Sequence, residues 1–315
     1  MNIPSLWLVG ASNIAQEYAS VLKALKKPFE VIGRGESSAF SFKKATGHTV
    51  RIGGLKKNLK QNTAPQIAIV AVGVDQLANV TEDLIRSGTK RILLEKPGAL
   101  NLKEINLLNR LAKEKKTEIF IAYNRRFYDS VQQMKKYIDD DGGALSINFE
   151  FTEWAHTIKI LQKNISVKKH WLIGNSSHVI DLAFHLCGKP KDWKCWHLGA
   201  LDWHPASARF CGSGITDKGV MFSYLSDWQA PGRWGLELMT TKRRFILRPM
   251  EQLQIVKLGS TLVNSINLKN KIDKKFKPGL FNQTKKFLEG KNSLLCSLSE
   301  QVENIKIYYK MAGYR

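Results

Sequence analysis

Four cysteines are spread over 315 residues, at Cys187, Cys195, Cys211 and Cys296. No two form a C-x-x-C pair, and the closest spacing, Cys187 to Cys195, matches no zinc pattern. That usage fits reduced thiols in a cytoplasmic protein. Long apolar runs are also missing. Hydrophobic residues make up 43% of the chain, yet none line up into the run of ~18 that a membrane-spanning helix needs. The opening MNIPSLWLVGASN lacks the charged region and long apolar stretch of a secretory signal and reads as a strand. Acid is scarce: 27 Asp and Glu stand against 49 Lys and Arg, a formal net charge of +22. Such an excess attracts phosphate, which raises nucleic acid as a partner. The basic residues are scattered, however, through 23–27, 55–60, 113–116 and 269–277. They form no single block interleaved with aromatics, and no helix-turn-helix, zinc-finger or RNA-recognition signature is present. A nucleic-acid or membrane partner is therefore not expected, and anionic small molecules such as nucleotide phosphates fit the charge better.

What is present is a change of grammar near Asn124. Up to that point short apolar segments alternate with helix-like ones. Residues 4–10, 29–34, 66–73, 91–97 and 118–124 read as strands. Residues 13–27, 74–88 and 101–116 read as helices, the last capped by Asn101 with Glu104 three residues on. This alternation predicts βαβ units and a doubly wound parallel sheet with helices on both faces. After one more helix at 130–141, alternating segments follow at 144–154, 193–201, 206–212, 219–228, 233–241, 243–249 and 253–259. They predict a large, mainly antiparallel sheet. The fold class is α/β: a Rossmann-type domain over 1–123 and an α+β domain over 124–315. A C-terminal helix at about 298–311 is expected to pack back on the first domain.

The first strand runs into Gly10-Ala11-Ser12-Asn13-Ile14-Ala15 and a helix. This is the context of the dinucleotide fingerprint G-x-G-x-x-G/A, with Ser12 at the second glycine. The helix N-terminus there offers free N–H groups to phosphates. The second strand ends Ile32-Gly33-Arg34-Gly35-Glu36-Ser37-Ser38. NAD sites place an acid near this end for the ribose 2′-hydroxyl. Here Arg34 stands in that place, and with Ser37 and Ser38 it suits a 2′-phosphate. NADP is therefore favoured over NAD, with Glu36 as the residue that would instead favour NAD.

Two further stretches carry ionisable groups. Residues 92–100, ILLEKPGAL, end a buried-looking strand on Lys96, in front of a proline that cannot extend the ladder. Ligands of open α/β sheets bind at such carboxyl ends. In the apolar helix SSHVIDLAFHLCG, His178, Asp181 and His185 fall at i, i+3 and i+7 on one face. That polar stripe requires partners or a ligand. It reads as an internal Asp–His network, as a metal site that lacks a third motif, or as proton-transfer apparatus with His185 titrating near neutral pH.

Together EKPGAL, AYNRRFYDS, HVIDLAFH and GASNIA resemble the glucose–fructose oxidoreductase / inositol dehydrogenase (Gfo/Idh/MocA) family, over essentially the whole chain. Tyr123-Asn124-Arg125-Arg126-Phe127 and Ser176-Ser177-His178 are most similar to sugar oxidoreductases of bacterial surface-polysaccharide pathways. The resemblance implies an NAD(P)-dependent oxidoreductase of sugar or nucleotide-sugar hydroxyls. A non-catalytic NAD(P)-binding sensor or assembly subunit is the alternative. It implies that Lys96 contacts the reacting carbinol or carbonyl and the nicotinamide ribose, with Lys96–Pro97 as a candidate cis peptide. It makes Asp181 and His185 the acid–base pair. It implies a cofactor set of Gly10, Ser12, Asn13, Ile14, Arg34, Ser37, Val72, Glu95 and Lys96. The implied substrate set is Tyr123, Arg125, Arg126, Asn175 and His178, the arginines suiting a carboxylate or phosphate. No metal is implied. The chain departs from the pattern at Ser12 and at Gly174, where many sugar-acting relatives carry an aspartate; this leaves open whether His178 or His185 is the base.

Aromatic residues cluster at 151–154, 203–205 and 231–234. Tryptophans there can stack on sugar rings, and Arg233 beside Trp234 can read a phosphate; packing or an interface is the favoured reading. An open sheet face predicts a homodimer or homotetramer.

Overall fold

The computed structural model describes residues 5–314. They form two compact units. The first runs through Tyr123 and adds Lys274–Glu303. The second takes Asn124–Asp273 and the chain from Asn304 on.

The first unit contains β1 (Leu6–Val9), β2 (Glu30–Ile32), β3 (Val50–Arg51), β4 (Ile67–Val70), β5 (Arg91–Leu94) and β6 (Glu118–Ile121). They pair in parallel in the order β6-β5-β4-β1-β2-β3, and Cys296–Ser297 adds an antiparallel edge beside β6. The central strands are short and apolar, and β1 (LWLV) is buried along its whole length, because helices cover both faces. The helix Asn13–Ala24 buries Ala15, Tyr18, Val21 and Leu22, the face its periodicity marks. The helix Leu102–Lys115 begins at Asn101, whose side chain accepts the Glu104 N–H, while the Glu104 carboxylate accepts from Leu100 N–H at 3.1 Å.

Residues 35–61, irregular as sequence, form the helices Glu36–Thr46 and Gly54–Gln61 around β3. The first of these buries only Phe42 and Thr46 and leaves Phe40 72% exposed, so its apolar stripe is too thin to show a period. Lys274–Glu303 was expected in the second domain and belongs to the first unit, where the helix Leu280–Leu288 packs on Asn13–Ala24.

The second unit carries β7 (Ser146–Glu150), β8 (Pro190–Leu198), β9 (Arg209–Thr216), β10 (Met221–Asp227), β11 (Gly235–Met239), β12 (Arg243–Leu247), β13 (Gln254–Lys257) and β14 (Asn264–Ser265). The sheet order is β14-β13-β12-β11-β7-β10-β9-β8, antiparallel except for the β7–β10 pair. Alternation sets its two faces. Ile147, Phe149, Phe222 and Tyr224 point inward and are buried, and the helix Ser177–Cys187 lies on β7 and β11 with Phe184 edge-on to Phe149 at 5.6 Å. Trp196, Ile215, Met221 and Leu225 face out. Three short helical segments precede that helix and left no sequence signal: Ala155–Lys159, Ile165–Lys169 and a π-helical turn at Leu172–Ser176. Among the described residues no helix is long and apolar enough to cross a membrane.

Candidate active site

The strand order of the first unit reverses between β1 and β4, the place where doubly wound sheets bind ligands. Gly10 follows β1 there with φ +126°, and a Cβ on it would stand 2.2 Å from the Ala71 carbonyl oxygen. Only glycine fits so close to the neighbouring strand end. Ser12 takes the second-glycine position and turns its hydroxyl to the Ala71 carbonyl at 3.2 Å. That bond holds the side chain against the end of β4, which accommodates serine in place of glycine. Ser12 is also the N-cap of Asn13–Ala24, so Asn13 and Ile14 hold first-turn N–H groups without helical partners.

A cleft of about 880 Å³ opens over this loop. Of the expected cofactor residues, Gly10, Ser12, Arg34 and Val72 line it. Ser38 lines it and Ser37 does not; the helix beginning at Glu36 aims adjacent residues in different directions. Glu36 is also outside the lining. Gly53, Gly54, Lys56, Gln76 and Asn79 belong to the wall and were not foreseen. The signal for the first two was the Gly-Gly pair ahead of LKKNLK: both adopt positive φ, at 94° and 78°, and open a helix against Arg34. The donor set fits a dinucleotide: a glycine cradle, a free helix N-terminus and an exposed cation.

The strand end carrying Lys96 is held from several sides within this unit. Glu95 N–H bonds Val70 O at 3.0 Å, Gly98 N–H returns to Glu95 O at 3.0 Å, and the Lys96–Pro97 peptide is cis. The Glu95 carboxylate was expected among cofactor contacts. It instead accepts the buried Tyr18 hydroxyl at 2.8 Å, from the helix that begins at the cofactor loop. Burial pushes the Glu95 carboxyl up and the Tyr18 phenol well up. Tyr123 was expected to line a substrate surface. It is 1% exposed and its oxygen accepts from Gln301, which also donates to Pro97 O at 2.9 Å. Its apolar ring completes the core at the end of β6, and its hydroxyl is satisfied there. Lys96 itself is half-buried.

In the second unit, the helix Ser177–Cys187 brings His178, Asp181 and His185 to one side as expected from their spacing. Asp181 is 1% exposed and Arg126 2%. They form a bidentate pair, Nε to Oδ2 at 2.8 Å and Nη2 to Oδ1 at 2.6 Å, with Asn304 Nδ2 at 3.5 Å from Oδ1. Arg126 therefore answers a carboxylate of its own unit rather than an anionic substrate group, because a buried carboxylate needs a buried cation. His178 is 8% exposed and lies against Trp234, with centroids 6.1 Å apart. His185 is more open. Asn175 donates to Glu153 Oε1 at 2.8 Å, alongside the Ser176 hydroxyl at 2.8 Å, while Arg233 meets Glu153 Oε2 at 3.1 Å. Glu153 is 2% exposed, and burial pushes its carboxyl up. Gly174 has open space about its Cα.

Residues 5–123 match the family model described as "Oxidoreductase family, NAD-binding Rossmann fold" (GFO_IDH_MocA). No curated protein matches the chain. Among solved structures, UDP-N-acetylglucosamine 3-dehydrogenase GnnA from Acidithiobacillus ferrooxidans is similar at TM-score 0.75 and 13% identity, covering 99% of this chain and 97% of that one. The WlbA dehydrogenase from Chromobacterium violaceum, in complex with NADH and UDP-GlcNAcA, is similar at TM-score 0.73 and 12% identity, covering 99% and 93%. Levoglucosan dehydrogenase, in complex with NADH and levoglucosan, gives TM-score 0.78 and 14% identity, covering 98% and 96%. At these identities the likeness establishes the fold. The likeness to the Gfo/Idh/MocA oxidoreductase family lies in residues 5–123, the stretch that carries the glycine loop, Arg34 and the Lys96 strand end.

Proposed function

We propose that this protein is an NADP-preferring oxidoreductase that moves hydride between the nicotinamide and a hydroxyl-bearing or carbonyl carbon of a sugar or nucleotide-sugar. The observation that carries the reading is the cleft over the glycine loop, whose wall includes Arg34 and Ser38 but not Glu36. A guanidinium there answers a 2′-phosphate and leaves a 2′-hydroxyl without its usual acid. The bound dinucleotide supplies the hydride acceptor or donor. Lys96 supplies a cation that stabilises the developing alkoxide. His185, the more open of the two histidines, takes or gives the hydroxyl proton, with His178 as the rival. Asp181 acts through Arg126 as a positioning group on the same helix. Dehydrogenases acting on or binding nucleotide sugars share the fold, which supports a nucleotide-sugar as the substrate class.

The test is a fluorescence titration of the protein with NADPH and NADH. NADPH is expected to bind more tightly, and Arg34→Ala to remove that preference. Lys96→Ala should keep dinucleotide affinity and lose turnover on a panel of sugars and nucleotide-sugars. Equal affinity of wild type for both dinucleotides overturns the Arg34 reading, and full turnover by Lys96→Ala overturns the role of the lysine.

A further inference from the structure

Between Glu153 and Asp181 the chain holds no acidic residue, and both of those carboxylates are buried. The first part of this stretch leads away from β7 and folds as the one-turn helices Ala155–Lys159 and Ile165–Lys169. Each buries a single apolar anchor, Ile158 in one and Val167 in the other. The residues between the anchors are left outside. Every residue from 159 to 165, KILQKNI, is exposed. Among them Ile160, Leu161 and Ile165 are 76%, 41% and 52% exposed.

A single aliphatic side chain on a surface is ordinary, but three so close along the chain make an apolar tip. Its own bonds hold the tip in shape. Leu161 N–H bonds Ile158 O at 3.1 Å, and Lys163 N–H bonds Leu161 O at 2.9 Å. The Asn164 side chain accepts the Ser166 N–H at 3.0 Å. Lys168 Nζ donates to Lys159 O at 2.8 Å, which ties the end of the second helix to the end of the first. Lysines flank the tip on both sides along the chain. Lys168 and Lys169 stand three and four residues after Ile165, on its side of the helix. Lys159 is paired with Asp202 at 2.9 Å, and among the described residues no carboxylate pairs with Lys163, Lys168 or Lys169.

The chemistry of the tip selects its occupant. Aliphatic side chains offer no stacking platform for bases, which a single-stranded nucleic acid would need. A second copy of the chain would set lysine against lysine, in a molecule of net charge +22. An anionic bilayer answers both features. Aliphatic side chains enter below the headgroups, while lysine ammonium groups stay among the phosphates on their apolar stems. We propose that residues 155–169 dock this protein on an anionic membrane surface, with Ile160, Leu161 and Ile165 inserted and Lys163, Lys168 and Lys169 on headgroup phosphates. The contact is peripheral, since no described helix is long and apolar enough to cross a membrane. A membrane partner was not expected from basic residues scattered along the chain. The fold is what buries Ile158 and Val167 and turns the residues between them outward. This surface is independent of the dinucleotide reading above.

Co-sedimentation of the full chain with lipid vesicles tests it. Phosphatidylcholine vesicles with about 25% phosphatidylglycerol, in about 0.15 M salt, should pull down wild type, and pure phosphatidylcholine far less. The triple variant Ile160→Ser/Leu161→Ser/Ile165→Ser should lower the partition coefficient at least ~10-fold, the factor set by losing one inserted aliphatic side chain. It should melt as wild type does, because these side chains are already exposed. Lys163→Gln/Lys169→Gln should lower the coefficient about 5-fold for each lysine removed. That pair keeps the test intact if the serine variant fails to fold. Two controls should bind as wild type does: Leu258→Ser/Leu262→Ser, which removes exposed leucines elsewhere, and Lys113→Gln/Lys115→Gln, which removes exposed lysines of the first unit. Wild type that ignores the anionic vesicles overturns the proposal, as does a serine variant that binds them unchanged. A loss in Lys113→Gln/Lys115→Gln equal to that in Lys163→Gln/Lys169→Gln also overturns it, because net charge alone would then be the cause. If the serine variant keeps vesicle binding but drops to a smaller mass in light scattering, a second copy covers the tip instead.

Discussion

Arg126 and Asp181 are the clearest case of one residue's meaning depending on another. Each alone looks functional: an arginine beside a candidate substrate segment, and an aspartate one helical turn before a histidine. Together they form a buried bidentate pair at 2.6 and 2.8 Å. Removing one partner strands the other as an uncompensated buried charge, at a cost of about 3–5 kcal/mol. Arg126→Met and Asp181→Leu are each expected to lose that much in denaturant unfolding. The double variant should recover most of it, since an apolar pair of similar volume replaces the ion pair. Single-variant losses that simply add would mean that the two side chains act independently. His204 makes a second prediction at this scale. It is fully buried; its Nδ1 lies 2.6 Å from Ser207 O and its Nε2 2.7 Å from the Tyr314 hydroxyl. That places the proton on Nδ1 and leaves Nε2 to accept from the phenol. Burial pushes its pKa down to about 4, with the nearby His170 adding in the same direction. The unfolded chain takes up this proton near pH 6.5 and the folded one does not until about 4. Stability from this group is therefore full above about 6.5 and lost as pH falls toward 4. At ~1.4 kcal/mol per pH unit the loss is about 3 kcal/mol. Unfolding free energies at pH 7 and pH 4.5 should show it in wild type and show a smaller difference in His204→Gln.

At the scale of elements, legibility followed the strength of the local pattern. The strands β1, β2, β4, β5 and β6 of the first unit, the helix Leu102–Lys115 with its Asn101 cap, and the glycine loop were readable, because apolar runs, capping residues and turn glycines act over a few residues, whereas the two-residue strands Val50–Arg51 and Cys296–Ser297 are too short to show a pattern. The helix Glu36–Thr46 was not, since Phe42 is almost its whole buried stripe. The short helices Ala155–Lys159 and Ile165–Lys169 bury one residue each, Ile158 and Val167, and depend on neighbours far away in sequence. The site shows the same division. The places of Gly10 and Arg34 on the cleft wall and of Lys96 at a strand end were legible because backbone geometry fixes where a strand ends. The fates of Tyr123, Glu95 and Arg126 were not, because Gln301, Tyr18 and Asp181 lie 178, 77 and 55 residues from them along the chain. No periodicity reports a partner at that distance.

At the scale of the molecule, the boundary at Asn124 was visible as a change from runs to alternation, whereas the return of Lys274–Glu303 to the first unit was not. Alternation also exposes a surface that composition alone hides. Leu225 of β10 pairs with Cys211 of β9, which pairs with Trp196 of β8, and Met221 pairs with Ile215. Leu225, Met221 and Trp196 are 68%, 63% and 54% exposed, on the side of the sheet away from the helix Ser177–Cys187. Two exposed apolar rows of this kind on an open sheet face, separated by the row of Lys194, Ser213 and Ser223, predict an interface. A second copy of the same chain is its expected occupant, because a self-complementary face closes most simply by two-fold pairing. The net charge of +22 works against that pairing, so added salt should favour it by screening the repulsion between copies. Light scattering on the purified chain should give a multiple of 35.7 kDa. Leu225→Asp places a carboxylate in the row of Cys211 and Trp196 and should return the mass to one chain, with the melting profile of the separated subunit intact. A wild-type chain that stays at one copy in both low and high salt would remove the interface and leave the rows to another partner.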